Sequence, residues 1–302
     1  MSTTITTVNS ARVDETVIAA LRYMLPMLKS FSFGVGAPDG TLLDDKVYVP
    51  IATDPTSGTK TPGTMKSANG TVTGQLVTVD TPIAAGWDAI EGRISGRLFE
   101  NFWIDKIAGG MYSISKAVID AALAIITKAN FGDVAGTDKL VVAPADFGQA
   151  DLALLWQYGA TKIKQRDVSL GLNATYAGAL LGDSALATVF STGGTNFVQT
   201  GVLPRLVGMN TWCYPAFPAN AENLGGAVFG RAAILVALAT PQPLAAAGQG
   251  DIVERRIITD PDSGISALYT MTAGGGGLMW GEVQLYYGVA KGQDAVVRLV
   301  SA

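Results

Sequence analysis

The stretch VYVPIA at residues 47–52 places Val47, Val49 and Ile51 on one face of an extended strand, and VTGQLVTVD at residues 72–80 has the composition of a second strand. The residues between them, DPTSGTKTPGTMKSANGT, are rich in Thr, Gly, Ser and Pro, which predicts a long hairpin with a polar tip. An arm of about ten residues would extend roughly 33 Å. We expect such a hairpin to bury little surface against its own chain and to need a neighbour to lie on.

The composition around this hairpin is poor in charge. Charged residues make up 15% of the 302 residues and hydrophobic residues 48%, whereas soluble domains carry about 25% charged residues. Such a chain hides much of its surface against partners or lies in a membrane. The longest apolar run, AAILVALA at 232–239, is far below the ~20 residues that span a bilayer, and the N-terminal residues lack the basic and apolar parts of a signal peptide. We therefore expect no membrane association and synthesis in the cytosol.

The sequence contains few residues that are suited to catalysis or to metal binding. The sequence has no histidine and one cysteine, Cys213, which excludes histidine-dependent triads, histidine zinc sites and intrachain disulfides. The carboxylates of Asp88, Glu91, Glu100 and Asp105 could support an enzyme, but charges on a solvated helix are the commoner explanation. A net charge of −4 without a basic stripe argues against sequence-specific nucleic-acid binding. We predict no catalytic, cofactor-binding or metal-binding residue.

Two short motifs match only the first part of a known functional pattern. Ser113-Ile-Ser-Lys116 matches the start of a serine acyl-enzyme pattern, but the partner motifs do not follow it. Asp260-Pro-Asp-Ser-Gly264 begins like a calcium loop, but Met271 stands where the loop needs Glu, so we predict a plain turn.

The remaining pattern is a mixture of helices and strands, which predicts an α+β fold. Residues 11–29 predict a helix ahead of any compact domain, ended or kinked by Pro26. Residues 93–130 predict a helical stretch kinked or broken at Gly109–Gly110, with Ser113 or Ser115 as the next N-cap. Pro144 is expected to begin a helix that Gly159 ends. Strands are predicted at 139–143, 205–213 and 227–239, and in an antiparallel cluster at 252–260, 265–271, 279–289 and 295–300.

This order of parts resembles the Hong Kong 97-like fold of tailed-bacteriophage major capsid proteins. The segments VYVPI at 47–51, KLVVAPADFGQA at 139–150, GVLPRLVGMNTWCYPAFP at 201–218 and the stretch 259–290 resemble parts of podovirus-type coats. The resemblance implies an N-terminal arm at 1–34, an E-loop at 45–86, a peripheral domain with the spine helix at 87–137, an axial domain at 138–226, and the axial return with peripheral strands at 227–302.

The resemblance also implies a function. The chain would self-assemble into hexamers and pentamers of an icosahedral shell around phage DNA, touching the packaged double-stranded DNA non-specifically. It would be assembled in the host bacterial cytoplasm and would reside in the virion capsid, with scaffolding, portal and decoration proteins as further partners. Two alternatives stay open: an encapsulin-like nanocompartment shell, and a soluble carboxylate-based enzyme.

Candidate interface residues come from the hairpin and from the start of the spine helix. Some relatives join a lysine of the E-loop covalently to an asparagine of a neighbour's peripheral domain. Lys60 and Lys66 lie in the hairpin, but the last asparagine is Asn223, so we predict no covalent crosslinking. Charged and aromatic residues near the start of the spine helix are expected to serve in subunit contacts or in the core. The full set of interface candidates is Lys60, Lys66, Trp87, Arg93, Arg97, Phe99 and Trp103.

Overall fold

A computed structural model describes residues 9–36, 46–52, 72–79, 81–90, 97–163, 167–183, 206–241, 251–274 and 278–302. The helices are α1 (Ser10–Leu28), α2 (Arg97–Ala124), α3 (Lys128–Phe131), α4 (Gln149–Lys162) and α5 (Ala174–Gly182). The strands are β1 (Ser32–Val35), β2 (Lys46–Ala52), β3 (Val72–Thr78), β4 (Thr81–Ile90), β5 (Lys139–Val141), β6 (Val168–Leu172), β7 (Asn210–Cys213), β8 (Leu224–Gly230), β9 (Ile234–Ala239), β10 (Asp251–Thr259), β11 (Ser266–Ala273), β12 (Leu278–Lys291) and β13 (Val296–Val300).

In the described part of the chain, six strands form the first sheet. Its order is β1-β9-β12-β11-β10, and β4 also pairs with β12. The long strand β12 has β11 on one side, while β4 and then β9 follow each other along its other side. All pairings are antiparallel except that of β1 with β9. The predicted antiparallel arrangement of the strands near 252–260, 265–271 and 279–289 is confirmed.

Among the residues that the structure describes, five strands form the second sheet, in the order β5-β13-β8-β6-β7. The last predicted strand, β13, lies here between β5 and β8 and does not join the antiparallel cluster of the first sheet. It is buried along most of its length, as a central strand must be, and its short apolar sequence carries no information about which sheet it enters. The expected boundary at 226 falls inside β8.

The helix α1 belongs to the core. Val13, Val17, Leu21 and Leu28 are fully buried, and α1 packs against α2. The prediction of a helix ahead of any compact domain is therefore wrong, because four apolar side chains on one face need a surface to cover them and α2 supplies it. Pro26 lies within the last turn, and the helix ends two residues later.

The helix α2 runs without a break through Gly109 and Gly110, contrary to the predicted kink. A Cβ on Gly110 would lie 3.1 Å from the Cβ of Ala85 in β4, so the bare backbone lets α2 approach the first sheet closely. That packing outweighs the low helix propensity of glycine. Ser113 and Ser115 are interior residues and not N-caps, since their hydroxyls donate hydrogen bonds to the carbonyls of Gly109 and Met111, respectively, one turn earlier.

Three further boundaries differ from prediction. Pro144 begins a 3-10 turn that ends at Asp146, and α4 starts only at Gln149, so the helix is interrupted. Gly159 is inside α4, where its missing side chain makes room for Val228 of β8. The predicted strand at 227–239 is two strands, β8 and β9, which enter different sheets.

Candidate assembly surfaces

The hairpin of β2 and β3 has one face on the first sheet. Its register pairs Val47 with Val77 and Tyr48 with Leu76. Its inward side chains form a separate apolar cluster with residues in and just before β9. The buried members are Val47, Val49, Ile51, Val77, Val79, Ala232, Leu235, Ala237 and Ala239. The expectation that the hairpin buries little against its own chain is therefore wrong for the described strands, since the 2-residue alternation supplies an apolar face and β9 covers it.

Two glycines of the sheet allow the hairpin backbone to lie directly on it. The carbonyl oxygen of Thr78 occupies the space that a Cβ on Gly288 would need. A Cβ on Gly34 would lie 2.7 Å from the carbonyl oxygen of Tyr48. The hairpin thus crosses β12 and β1 at two points where only glycine leaves enough room.

The opposite face of the hairpin is apolar and exposed. Tyr48 and Leu76, which are register partners, leave 52% and 55% of their surface accessible. The ring of Tyr48 lies over Gly74, where a side chain would collide with it. Large apolar side chains exposed side by side on a strand pair are typical of a contact surface.

The predicted aromatic residues near the start of α2 come together in the core. The rings of Phe99 and Trp103 stack at 5.3 Å, and Trp87 meets Trp103 edge-on at 5.5 Å. The indole nitrogen of Trp103 donates a hydrogen bond of 2.8 Å to the hydroxyl of Tyr269. Burial raises the pKa of Tyr269 to about 12. Phe99 and Trp103 are covered by their own chain, which favours a role in the core over contact with a neighbour.

The other interface candidates are placed as follows. Trp87 is half-buried in β4, with its indole against Gly281 of β12. Lys60, Lys66 and Arg93 lie outside the described residues. Arg97 begins α2, and its side chain also lies outside the described part of the chain. Their assignment to subunit contacts stays a prediction.

Ion pairs connect α1 to α2 and to the turn between β10 and β11. Arg12 pairs with Glu100 of α2 at 3.0 Å, and Arg22 pairs at 3.0 Å with Asp260 in the turn between β10 and β11. Asp260 also accepts hydrogen bonds from the backbone and hydroxyl of Ser263, as a turn-forming aspartate does. Burial acts to raise the pKa of Asp260, but the hydrogen bonds from Ser263 and Arg22 outweigh it and hold that pKa below its usual value. The turn predicted at 260–264 is confirmed.

The second sheet contains an ionic network that the sequence did not reveal. Arg298 of β13 is 1% exposed and binds Glu222, Asp133 at 2.8 Å and the carbonyl of Gly132. Hydrogen bonds from Lys139 and Arg298 hold the pKa of Asp133 below its usual value. The partners of Arg298 are remote from it in sequence, so no local spacing of residues could have indicated this network.

A second cation extends this network to α4. The ammonium of Lys162 lies 2.7 Å from Asp138 and donates to the carbonyl of Phe131. Burial acts to raise the pKa of Asp138, but the hydrogen bonds from Lys162 and from the backbone of Val134 lower it overall.

Metal-binding clusters and membrane spans were sought among the described residues. They include no group of three or more Cys, Asp or Glu side chains positioned to hold a metal ion. No helix in this part of the chain has the length and apolar character needed to cross a membrane.

Comparisons with known proteins bear on the fold. No protein-family model and no curated protein matches the sequence. Among solved structures, the asymmetric unit of the bacteriophage PhiM1 mature capsid matches with a TM-score of 0.51 and 14% identity, covering 91% of this chain and 86% of that chain. The capsid structure of the cyanophage P-SCSP1u matches with a TM-score of 0.50 and 13% identity, covering 91% of this chain and 88% of that chain.

A third match is a structure from Microbacterium phage Oxtober96, with a TM-score of 0.50 and 13% identity over 94% of this chain and 91% of that chain. The likeness thus covers nearly the whole of each chain. The expectation of an α+β capsid fold is confirmed: the chain has the fold of phage capsid proteins.

Proposed function

We propose that this chain is a major capsid protein that self-assembles into the icosahedral shell enclosing phage DNA. The observation that carries the proposal is the fold match along 91% of the chain to two phage capsid structures. The charged fraction of 15% supports it, because a subunit with neighbours on several sides needs fewer charges to stay solvated.

The partners follow from such a shell. Copies of the chain would form hexamers and pentamers, and the exposed face of the hairpin around Tyr48 and Leu76 would lie on an adjacent subunit. Scaffolding, portal and decoration proteins and non-specific contact with packaged double-stranded DNA complete the proposed partners. The virion capsid is its proposed location, reached by assembly in the host bacterial cytoplasm.

The proposed role is structural and not enzymatic. Of the four carboxylates that could have formed a catalytic site, Asp88 and Asp105 are exposed, and Glu100 is paired with Arg12 at 3.0 Å. Glu91 lies outside the described residues. Exposed or paired carboxylates are typical of a solvated surface, which supports the structural role.

Particle formation by the purified protein tests this proposal. Size-exclusion chromatography and negative-stain electron microscopy should detect closed shells, formed by the protein alone or with a co-expressed scaffolding protein. A species that stays at the 31.3 kDa of one chain, or at twice that mass, under both conditions would contradict the proposal.

The contents of the particles separate the phage capsid from the nanocompartment. Particles isolated from cells producing virions should contain double-stranded DNA that nuclease removes only after the shell is opened. A shell that instead contains a stoichiometric protein cargo and no DNA would favour the nanocompartment.

A further inference from the structure

A short turn before β8 holds its backbone in an unfavourable conformation. Four non-glycine residues in the described part of the chain have a positive φ, and three of them lie in this turn: Asn220 at 49°, Ala221 at 56° and Asn223 at 51°. Asparagine tolerates this left-handed region, whereas the Cβ of alanine comes too close to the following carbonyl oxygen. Ala221 is exposed, so packing of its methyl group gives little in return. Contacts of its neighbours must therefore hold the turn in place.

The first of these contacts joins the turn to the end of α2. The side-chain amide of Asn220 donates hydrogen bonds to the carbonyl oxygens of Leu123 and Ile126, at 3.0 and 2.7 Å. Carbonyl groups at the end of a helix need partners from outside the helix. The turn thus supplies part of the cap of α2 from a position that lies 94 residues after Ile126 in the chain.

The next two residues of the turn join α3 to the end of β13. Glu222 accepts a hydrogen bond of 2.8 Å from the backbone nitrogen of Lys128, the first residue of α3, and binds the guanidinium of Arg298 in β13. The carbonyl oxygen of Asn223 accepts a hydrogen bond of 2.9 Å from the backbone nitrogen of Ser301. We call residues 219–223 the strap and residues 123–128 the α2–α3 corner.

The strap has contacts that the surrounding fold can replace. Arg298 also binds Asp133 at 2.8 Å and the carbonyl of Gly132, so it would keep a countercharge if Glu222 moved away. The hydrogen bond from Lys128 to Glu222 lies at the exposed surface, where water can take the place of the carboxylate. Opening of the strap therefore does not leave the buried cation without a partner, which is the most costly consequence of breaking a buried ion pair.

We propose that the strap is a conformational device that opens as one unit while both sheets stay folded. In the closed state it fixes the α2–α3 corner to β13. In the open state the end of α2 keeps its packing on the first sheet but loses this connection to the second. Any partner that binds only one of the two states would shift their populations. The inference goes beyond the proposed function and does not depend on it, because it is tested on isolated chains.

Amide hydrogen exchange on two backbone groups tests whether the strap moves as a unit. The amides of Lys128 and Ser301 lie on opposite sides of the strap, and each donates to one of its residues. We expect the two amides to have equal protection, and both to be less protected than the amides in the middle of β8 and β12. Unequal protection, or exchange of both amides only through global unfolding, would overturn the proposal.

The variant Ala221→Gly tests whether the closed strap is strained. Glycine adopts a positive φ without the Cβ penalty, so this variant should favour the closed state and slow the exchange of Lys128 and Ser301 roughly ten-fold. The matched control is Ala219→Gly, at an exposed alanine of the same strap whose φ is not positive. Glycine there adds freedom to the open strap only and should speed the exchange. Faster exchange in Ala221→Gly would show that the strap stores no strain.

The variant Ser301→Pro tests the coupling across the strap. Proline removes the N–H that Asn223 binds, and Val300 ends a strand, whose extended backbone suits the residue before a proline. We expect the amide of Lys128, on the other side of the strap, to exchange at least about five-fold faster. The control Ser301→Ala keeps the N–H and loses only a hydroxyl contact of 3.4 Å to Ala302, so it should match the wild type.

Circular dichroism and urea unfolding establish that these variants fold. Unchanged exchange of Lys128 in a folded Ser301→Pro variant would overturn the coupling between β13 and the α2–α3 corner. If that variant does not fold, the opposite effects expected for Ala221→Gly and Ala219→Gly still decide the proposal. Particle formation has no part in these measurements, so their failure leaves the shell proposal intact.

Discussion

The carbonyl oxygen of Thr78 lies where a side chain on Gly288 would have to be, so the hairpin crosses the first sheet in direct backbone contact with β12. Replacement of Gly288 by alanine must displace either the hairpin or the strand beneath it. Overpacking of this kind costs about 1–3 kcal/mol. We expect the Gly288→Ala variant to lose that much stability in urea unfolding and to show faster amide hydrogen exchange in β3.

The matched control is Gly86→Ala in β4, where an added Cβ would find its nearest neighbour, the carbonyl oxygen of Gly281, at 3.7 Å. This variant should be at least as stable as the wild type, because alanine is favoured over glycine inside a strand when its Cβ meets no obstacle. Equal stabilities for the two alanine variants would show that the hairpin does not rest on Gly288.

The adjacent glycines of α2 should respond differently to alanine. A Cβ at Gly109 meets no atom within 4 Å, so Gly109→Ala should raise the stability by about 1 kcal/mol through helix propensity alone. At Gly110 the same Cβ would press on Ala85 and Val283, at 3.1 and 3.2 Å. In urea unfolding, we expect the free energy of unfolding of Gly109→Ala to exceed that of Gly110→Ala by at least about 1 kcal/mol. The opposite order would mean that α2 does not approach the sheet closely at Gly110.

The buried ion pair of Arg298 and Glu222 should contribute much more to the free energy of unfolding than an exposed ion pair does. Glu222→Gln leaves the Arg298 guanidinium, 1% exposed, without its full countercharge, and we expect a loss of about 2–4 kcal/mol. Asp262→Asn removes a partner of Arg22, whose side chain is 47% exposed, and should cost much less stability, because water screens an exposed ion pair. Chemical denaturation at pH 7 gives both values. Similar small losses would indicate that water reaches Arg298.

Acid should destabilise the fold only in a low pH range. Asp133, Asp138 and Asp260 have pKa values below their usual range in the folded chain. A carboxylate of this kind contributes stability above its unfolded pKa, about 3.9, and the contribution is lost as the pH falls through the folded pKa. We therefore expect a plateau of stability from pH 7 to about 5 and a decline below about 4.

The variant Asp260→Asn provides the control for this pH profile. It should be less stable than the wild type at pH 7 and should lose less stability between pH 5 and pH 3, because one of the titrating groups is gone. The sequence contains no histidine, the side chain that ordinarily titrates between pH 5 and 8. A main loss of stability between pH 7 and 5 would contradict the assignment to these carboxylates.

The parts of the fold that could be predicted from the sequence are those in which successive side chains alternate between a buried and an exposed face. The strands β2 and β3 are the best example, since Val47 and Val49 face the sheet while Tyr48 faces outward. The strand β4 was missed because Ala84, Ala85 and Gly86 give little contrast between its two faces. The strand β6 was missed because nearly all of it is buried, which removes the alternation.

Contacts between residues that are far apart in the chain could not be predicted from the sequence for a different reason. The partners of Arg298 lie 76 and 165 residues away, and only the pairing of β13 with β5 and β8 in the second sheet brings them together. The covering of α1 by α2 and the continuity of α2 through Gly110 likewise depend on packing between elements. The aromatic residues near the start of α2 were found from their clustering, but whether they face the core or a neighbour depends on the position of β4 and β12.

The placement of β13 between β5 and β8 bears on the timing of folding. The strand β13 follows β5 by more than 150 residues in the chain, and at ~5–20 residues per second a ribosome needs on the order of 10 seconds to make that stretch. Until β13 emerges, α4 lacks one of the strands on which it packs. Chains still being translated therefore cannot present a finished second sheet to one another, which delays association until nearly the whole polypeptide has been made.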